Sequence, residues 1–242
     1  MIKWAGVRSD ELNLVVEHYP KRIFPSRRDE KQVVPGRPGE IVYATARDFN
    51  NYDQPYDVVL EGPKQGLPFI SNKIAEWLLG HPGYHRLEDN YDPATYRMAR
   101  YNGGESFTNW FNQYGRGTIT FDCMPQRWLK SGEVKMTLKK NQEILNPTGM
   151  EALPIFEITG TGATTITITD TIASTSSSLT ISSIGGVMTI DAETHYASNA
   201  SGGQNDKITG SYNSLLLPKK FKVSWTGTGV TKVNLTPRWW TI

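Results

Sequence analysis

Thr164-Thr165-Ile166-Thr167-Ile168-Thr169 sets isoleucine and threonine at alternate positions. A period of two puts one residue type on each face of an extended strand, and β-branched side chains suit a pleated surface. The same spacing recurs at Leu179/Ile181, at Met188/Ile190 and at Phe221, Val223 and Trp225. That last segment runs into Thr226-Gly227-Thr228-Gly229, a turn signal, and Val233 and Leu235 precede Pro237. Short alternating strands separated by glycine-rich turns predict an all-β sandwich. The serine run 174–178 has strand-like flanks on both sides and reads as a loop tip rather than a linker.

Upstream of this region the composition changes. Residues 1–145 hold 38 of the 50 charged side chains, whereas Ser and Thr rise from 11 there to 29 in residues 146–242. The shift falls at Asn146-Pro147-Thr148-Gly149, a turn-rich tetrapeptide suited to a linker. Two domains are therefore expected, 1–145 and 146–242. In the first, Ile70, Ile74, Trp77 and Leu78 share one face of a 3.6-residue period, with Ser71 as the cap and Gly80 as the stop. The segments Ile119/Phe121/Cys123 and Val134/Met136/Leu138 alternate as half-buried strands do. The expected fold is mainly β, with one helix on the N-terminal β-domain.

The chain is long enough, at 242 residues, to hold a core without a staple. Its formal charge of +2 lacks the basic excess of a nucleic-acid binder. Cys123 is the only cysteine, which excludes an intrachain disulfide. No apolar run is long enough for a signal peptide or a membrane helix, so no membrane insertion is expected.

Chemistry-bearing patterns are few. His81 and His85 have the spacing of two ligands on a helix face, but Pro82-Gly83 between them opposes that helix. Glu88-Asp89-Asn90-Tyr91-Asp92 lacks the sixth-place glycine and closing glutamate of a calcium loop. Cys123 shares an apolar face with Ile119 and Phe121 and reads as core. There is no nucleophile elbow, phosphate loop or dinucleotide fingerprint. The expectation is no cofactor, no metal and no enzyme activity.

More specific is Val34-Pro35-Gly36-Arg37-Pro38-Gly39. Pro35 sets φ and Gly36 takes the positive φ of a type II turn. In order along the chain stand Lys3-Trp4-Ala5-Gly6-Val7-Arg8-Ser9, this turn, the helix Ile74-Ala75-Glu76-Trp77-Leu78, Tyr96-Arg97-Met98-Ala99-Arg100, and the strand Gly117 to Pro125 containing Phe121 and ending in Cys-x-Pro. This series resembles the N-terminal domain of the siphophage distal tail protein (Dit) family. Pro38 stands where the family often has an acidic residue. Leu153 to Gly162, Ile190-Asp191-Ala192-Glu193 and Leu235 to Trp240 are similar to segments of that family's C-terminal domain.

The resemblance implies a C-terminal galectin-like β-sandwich and an N-terminal domain that builds a homo-hexameric ring, with Pro35, Gly36, Arg37, Gly39, Ile74, Trp77, Leu78, Phe121 and Pro125 as structural motif residues. It further implies a virion location at the distal end of a phage tail, after synthesis in the bacterial host cytoplasm. The ring would join the tail tube protein to the tip hub or baseplate and surround the path of the tape-measure protein and DNA, with stacking into a dodecamer in isolation. Closing such a ring requires two different patches that meet head to tail. The charge-rich segment 17–33, with Lys21, Arg22, Phe24, Arg27 and Arg28, is the expected inter-protomer loop. The competing reading is a carbohydrate-binding or host-adhesion module, with Trp225, Trp239 and Trp240 as candidate platforms that alternation assigns to packing instead. A tail-associated hydrolase lacks any catalytic constellation.

Overall fold

A computed structural model describes residues 1–43, 47–60, 67–104, 107–110 and 114–242, without the side chains of 67–69, 107–110 and 114. The chain divides into two compact units, Met1–Arg127 with Ile242, and Trp128–Thr241.

The first unit is built on β1 (Ile2–Trp4), β2 (Val7–Arg8), β3 (Leu14–Val16), β4 (Glu30–Val33), β5 (Glu40–Tyr43), β6 (Tyr52–Leu60), helix α1 (Leu67–Leu79), β7 (His85–Asp89), β8 (Thr95–Tyr101), β9 (Phe107–Trp110) and β10 (Tyr114–Leu129). Its sheet runs β2-β1-β7-β8-β10-β6-β3, with β4 and β5 apart as a two-stranded ribbon. β6 and β10 pair from Gly115 opposite Leu60 to Cys123 opposite Tyr52. Tyr56, Val58 and Leu60 alternate inward on β6, and Ile119, Phe121 and Cys123 do so on β10. The predicted helical face, Ile70, Ile74, Trp77 and Leu78, is buried in the same core. Two indoles tie the layers together: Trp77 Nε1 donates to the Trp4 carbonyl (3.1 Å) and Trp4 Nε1 to that of Ala99 (2.9 Å).

The second unit contains β11 (Met136–Thr137), β12 (Glu143–Leu145), β13 (Ile155–Asp170), β14 (Thr175–Asp191), β15 (Tyr196–Asn199), β16 (Gly202–Gly203), β17 (Ile208–Thr209), β18 (Lys220–Trp225), β19 (Val230–Thr236) and β20 (Trp240–Thr241). The alternating stretch around Ile166 lies in the β13–β14 hairpin, which changes partners midway. Residues 155–160 of β13 pair with β19, whereas 166–170 pair with β18. The sheet curls at this exchange, where the register of the hairpin shifts between Gly162 and Thr164. Phe156, Ile158, Ile166, Ile168, Leu179, Ile181, Phe221 and Val233 fill its interior. At the crossing, a Cβ on Gly160 would lie 2.4 Å from the Gly229 carbonyl oxygen, and one on Gly229 would lie 2.1 Å from that of Thr161. Gly229→Ala is expected to destabilise the chain by about 1–3 kcal/mol because the obstacle is backbone; chemical denaturation checks this.

Several expectations change. The boundary falls at Arg127/Trp128 rather than 145/146, because β11 pairs with β19 and β12 with β18. Asn146-Pro147-Thr148-Gly149 is a tied turn inside the second unit: Asn146 is fully buried and its Nδ2 donates to the Met150 carbonyl at 2.8 Å. Helix α1 begins at Leu67, so Ser71 lies inside it and is not its cap. Val134 is exposed beyond a short 3-10 turn, and only Met136 and Thr137 form a strand there. Pro125 is buried within β10, which continues to Leu129 instead of ending at Cys-x-Pro. The serine run belongs to β14 from Thr175 onward, and the loop tip lies just before it, where Asp170 Oδ1 accepts from Ile172 N and Ala173 N.

Candidate assembly surface

Pro35-Gly36 sits at the end of the β4–β5 ribbon. Gly36 has φ of 80° and Arg37 N donates to the Val34 carbonyl at 3.1 Å, the closing bond of the predicted turn. Gly39 also has positive φ, 82°, where the chain re-enters β5. Below the ribbon, Arg27 bridges Phe49, Arg28 N donates to the Asp48 carbonyl, and Asn50 N donates to that of Ser26. The Arg27 guanidinium lies 5.0 Å from the Phe49 ring centroid, and Arg28 pairs with Asp48 at 3.6 Å. The β4–β5 ribbon, with residues 26–28 held against 48–50 at its base, therefore forms an arm.

Both faces of this arm carry apolar side chains. Opposed residues of an antiparallel pair share a face, so Ile41 and Tyr43 lie on one side and Val33 and Val42 on the other. Val33, Val42 and Tyr43 are 70%, 51% and 55% exposed. Lys31 and Glu40 neutralise each other across the strands at 3.3 Å. A lone two-stranded hairpin is marginal in water, and this one exposes apolar residues on both sides.

The segment expected to reach outward is only partly free. Lys21 and Ile23 use their carbonyls to accept from Gln54 Nε2 and Arg127 Nη2, both at 3.1 Å, and Arg22 Nη2 donates to the Ile242 carbonyl at 3.2 Å. Gln54 and Arg127 are buried. Residues 21–25 are thus a strap across the first unit, with Phe24 facing outward, and the exposed apolar residues lie further along, at 33–43. Sequence reasoning missed Val33, Val42 and Tyr43. Glu40-Ile41-Val42-Tyr43 was a usable signal, since an apolar run follows directly on a tight turn.

Beneath the strap region lies a buried polar cluster. Asp89 Oδ2 accepts from Arg97 Nη1 (2.9 Å) and Tyr56 Oη (2.8 Å), while Oδ1 accepts from Tyr91 N and Asp92 N. Burial opposes the Asp89 charge, but the bonds and charge of Arg97, with Tyr56 and the main-chain donors, outweigh it and hold the carboxyl below its ordinary range. The Cys123 thiol is pushed up to about 12 by burial, so it stays protonated at neutral pH and is a poor nucleophile. His81 and His85 do meet, with ring centroids 5.7 Å apart, across the Pro82-Gly83 turn rather than along a helix. One nitrogen of each ring is engaged by a carbonyl, that of Trp77 and Pro82 respectively. Among the described residues no group of three or more metal-ligating side chains forms, and no helix is long and apolar enough to cross a membrane. Trp239 and Trp240 are both buried, and Trp225 is half-buried at the end of β18, so none of the three is an exposed platform.

Known structures share this architecture. Superposition on the SPP1 Dit protein, described as a paradigm of the hub adsorption apparatus in phages infecting Gram-positive hosts, gives a TM-score of 0.72 over 97% of this chain and 96% of that one, at 12% identity. The chain has the fold of a phage hub protein. The activated baseplate of phage P2 also aligns, at a TM-score of 0.49 and 10% identity over 92% of this chain and 89% of that one, a likeness too low to argue from. No protein-family model and no curated protein sequence matches the chain. The Dit likeness spans both units, and the mainly β architecture with a single helix agrees with the expected fold class.

Proposed function

We propose that the chain is a structural, non-enzymatic component of a phage tail tip, whose copies close into a six-membered ring. The ring joins the tail tube to the hub or baseplate and encircles the path of the tape-measure protein and DNA. The observation that carries this reading is the exposed β4–β5 arm on a fold shared with a hub protein. A ring needs one patch to reach a different patch on the next copy, and a two-sided apolar ribbon anchored at its base supplies the reaching half. Its nearly balanced charge suits a channel through which DNA slides without tight contacts. Burial of Trp239 and Trp240 and the half-burial of Trp225 weigh against the carbohydrate-binding alternative, which relied on these three indoles as platforms.

Deleting residues 21–31 is a poor test, since it strands Gln54 and Arg127. The double substitution Val33→Asp/Val42→Asp changes only exposed positions. It is expected to leave the thermal midpoint unchanged and reduce the light-scattering mass from a multi-subunit particle to one chain. Assembly equal to the wild type rejects the arm as the contact.

A further inference from the structure

Resting on the ring reading, we infer that the surface receiving the arm on the second copy is the open edge strand β3 together with the outward face of β6. Among the described residues, strand β3 ends the sheet and pairs only with β6, with Val15 opposite Val59. A three-residue strand with a free side can accept another main chain, which satisfies its unpaired N–H and C=O groups. Leu14 and Val16 point into the core, so Val15 points outward, and it is 40% exposed.

The chemistry beside Val15 matches the arm. On β6 the inward residues are Tyr52, Gln54, Tyr56, Val58 and Leu60, which leaves Asp53, Pro55, Asp57 and Val59 on the outward face. Asp53 and Asp57 are exposed carboxylates with no cation partner among the described residues, and Asp57 accepts only from Thr118 Oγ1 at 2.7 Å. The nearby Glu17 is already engaged by Arg116. This face is therefore an apolar pair, Val15 and Val59, followed along the strand by unneutralised negative charge.

The arm carries the complement in the same order. Val33 and Val42 form its apolar pair, and Arg37 at its tip is an exposed guanidinium without an acidic partner among the described residues. Of the other arm cations, Lys31 pairs with Glu40, Arg28 pairs with Asp48 and Arg27 lies over the Phe49 ring, while the acidic Glu30 lies opposite Tyr43 on the face away from Val33 and Val42. Laying the arm along β3 places valines on valines and Arg37 against Asp57 or Asp53. The head-to-tail contact then uses two different patches of one chain, as ring closure requires. Opposite charges at such a rim fix register and exclude wrong alignments.

The test uses the full chain, with mass and assembly concentration read by light scattering and folding checked by thermal unfolding. Val15→Lys and Asp57→Lys are each expected to raise the concentration for half-assembly by about tenfold or more without lowering the thermal midpoint. Arg37→Glu is expected to do the same, and the double variant Arg37→Glu/Asp57→Lys to recover assembly. If Val33→Asp/Val42→Asp blocks assembly while Val15→Lys and Asp57→Lys assemble as the wild type does, the ring stands and this receiving surface is wrong. If the double charge swap is no better than either single change, the Arg37–Asp57 alignment is overturned. A wild-type chain that never associates, with or without tail partners, overturns the ring reading and this surface with it.

Discussion

Asp89→Ala is expected to lower stability by about 3–5 kcal/mol, because it leaves the Arg97 guanidinium buried without a counter-charge. The side chains of Asp89 and Arg97 are 1% and 6% exposed, so water cannot take over the lost role. At this chain length such a loss corresponds to a fall on the order of 10 °C in the thermal midpoint. The pH profile separates this from generic damage. Arg97 and the donors around Asp89 hold its folded-state carboxyl below the ordinary value despite burial. Its contribution is therefore fully present above the unfolded pKa, about 4, and is lost as pH falls through the lower folded value. Stability of the wild type should decline on that acid side, and the Asp89→Ala profile should be flatter there. Equal acid slopes in the two proteins would show that the carboxylate is not held by Arg97.

Trp77→Ala is expected to cost a similar amount, about 3–5 kcal/mol, by opening a cavity where α1 meets the sheet. Trp77 lies edge-on to Trp4, with ring centroids 6.2 Å apart, and Trp4 in turn contacts Phe121 at 5.4 Å. Trp77→Phe retains most of the volume but loses the Nε1 bond to the Trp4 carbonyl, and about 1 kcal/mol is expected from that bond alone. Urea titrations of the three proteins test the ordering wild type, Phe variant, Ala variant. An alanine variant as stable as the phenylalanine variant would show that the helix does not depend on this indole for its docking.

What was legible beforehand follows from what side-chain periodicity encodes. Ile70, Ile74, Trp77 and Leu78 reveal a helix because burial on one side imposes a 3.6-residue repeat, and all four are buried. Ile166 and Ile168, like Phe221 and Val223, reveal strands for the corresponding reason. Periodicity is silent about which strands pair. The composition step near residue 146 therefore hid the fact that β11 and β12, which lie on its charge-rich side, complete the second sheet through β19 and β18. Val134, Met136 and Leu138 show the opposite failure, since three alternating apolar residues sufficed to suggest a strand where only Met136 and Thr137 pair.

The candidate surface was half legible. Pro35-Gly36 was identifiable as a turn from φ requirements alone, and it does close the arm. Its flanks were opaque because Val33 and Val42 lie among Lys31, Arg37 and Glu40, a mixture that also describes a solvated loop. The basic segment Lys21 to Arg28 attracted attention through charge, yet its carbonyls do the holding through Gln54 and Arg127. Main-chain bonds of that kind leave no mark in side-chain identity. Edge status is equally invisible locally: alternation sets Val15 outward, but only the strand order makes β3 the last strand of its sheet among the described residues.

The most direct measurement is the molar mass of the purified full chain across a concentration series, with particle images from the same sample. The account predicts a mass of six chains, or of two stacked sixes, with closed rings in the images, collapsing to one chain in Val33→Asp/Val42→Asp. A mass of one chain at every concentration, and still one chain per complex with tail partners added, would contradict it.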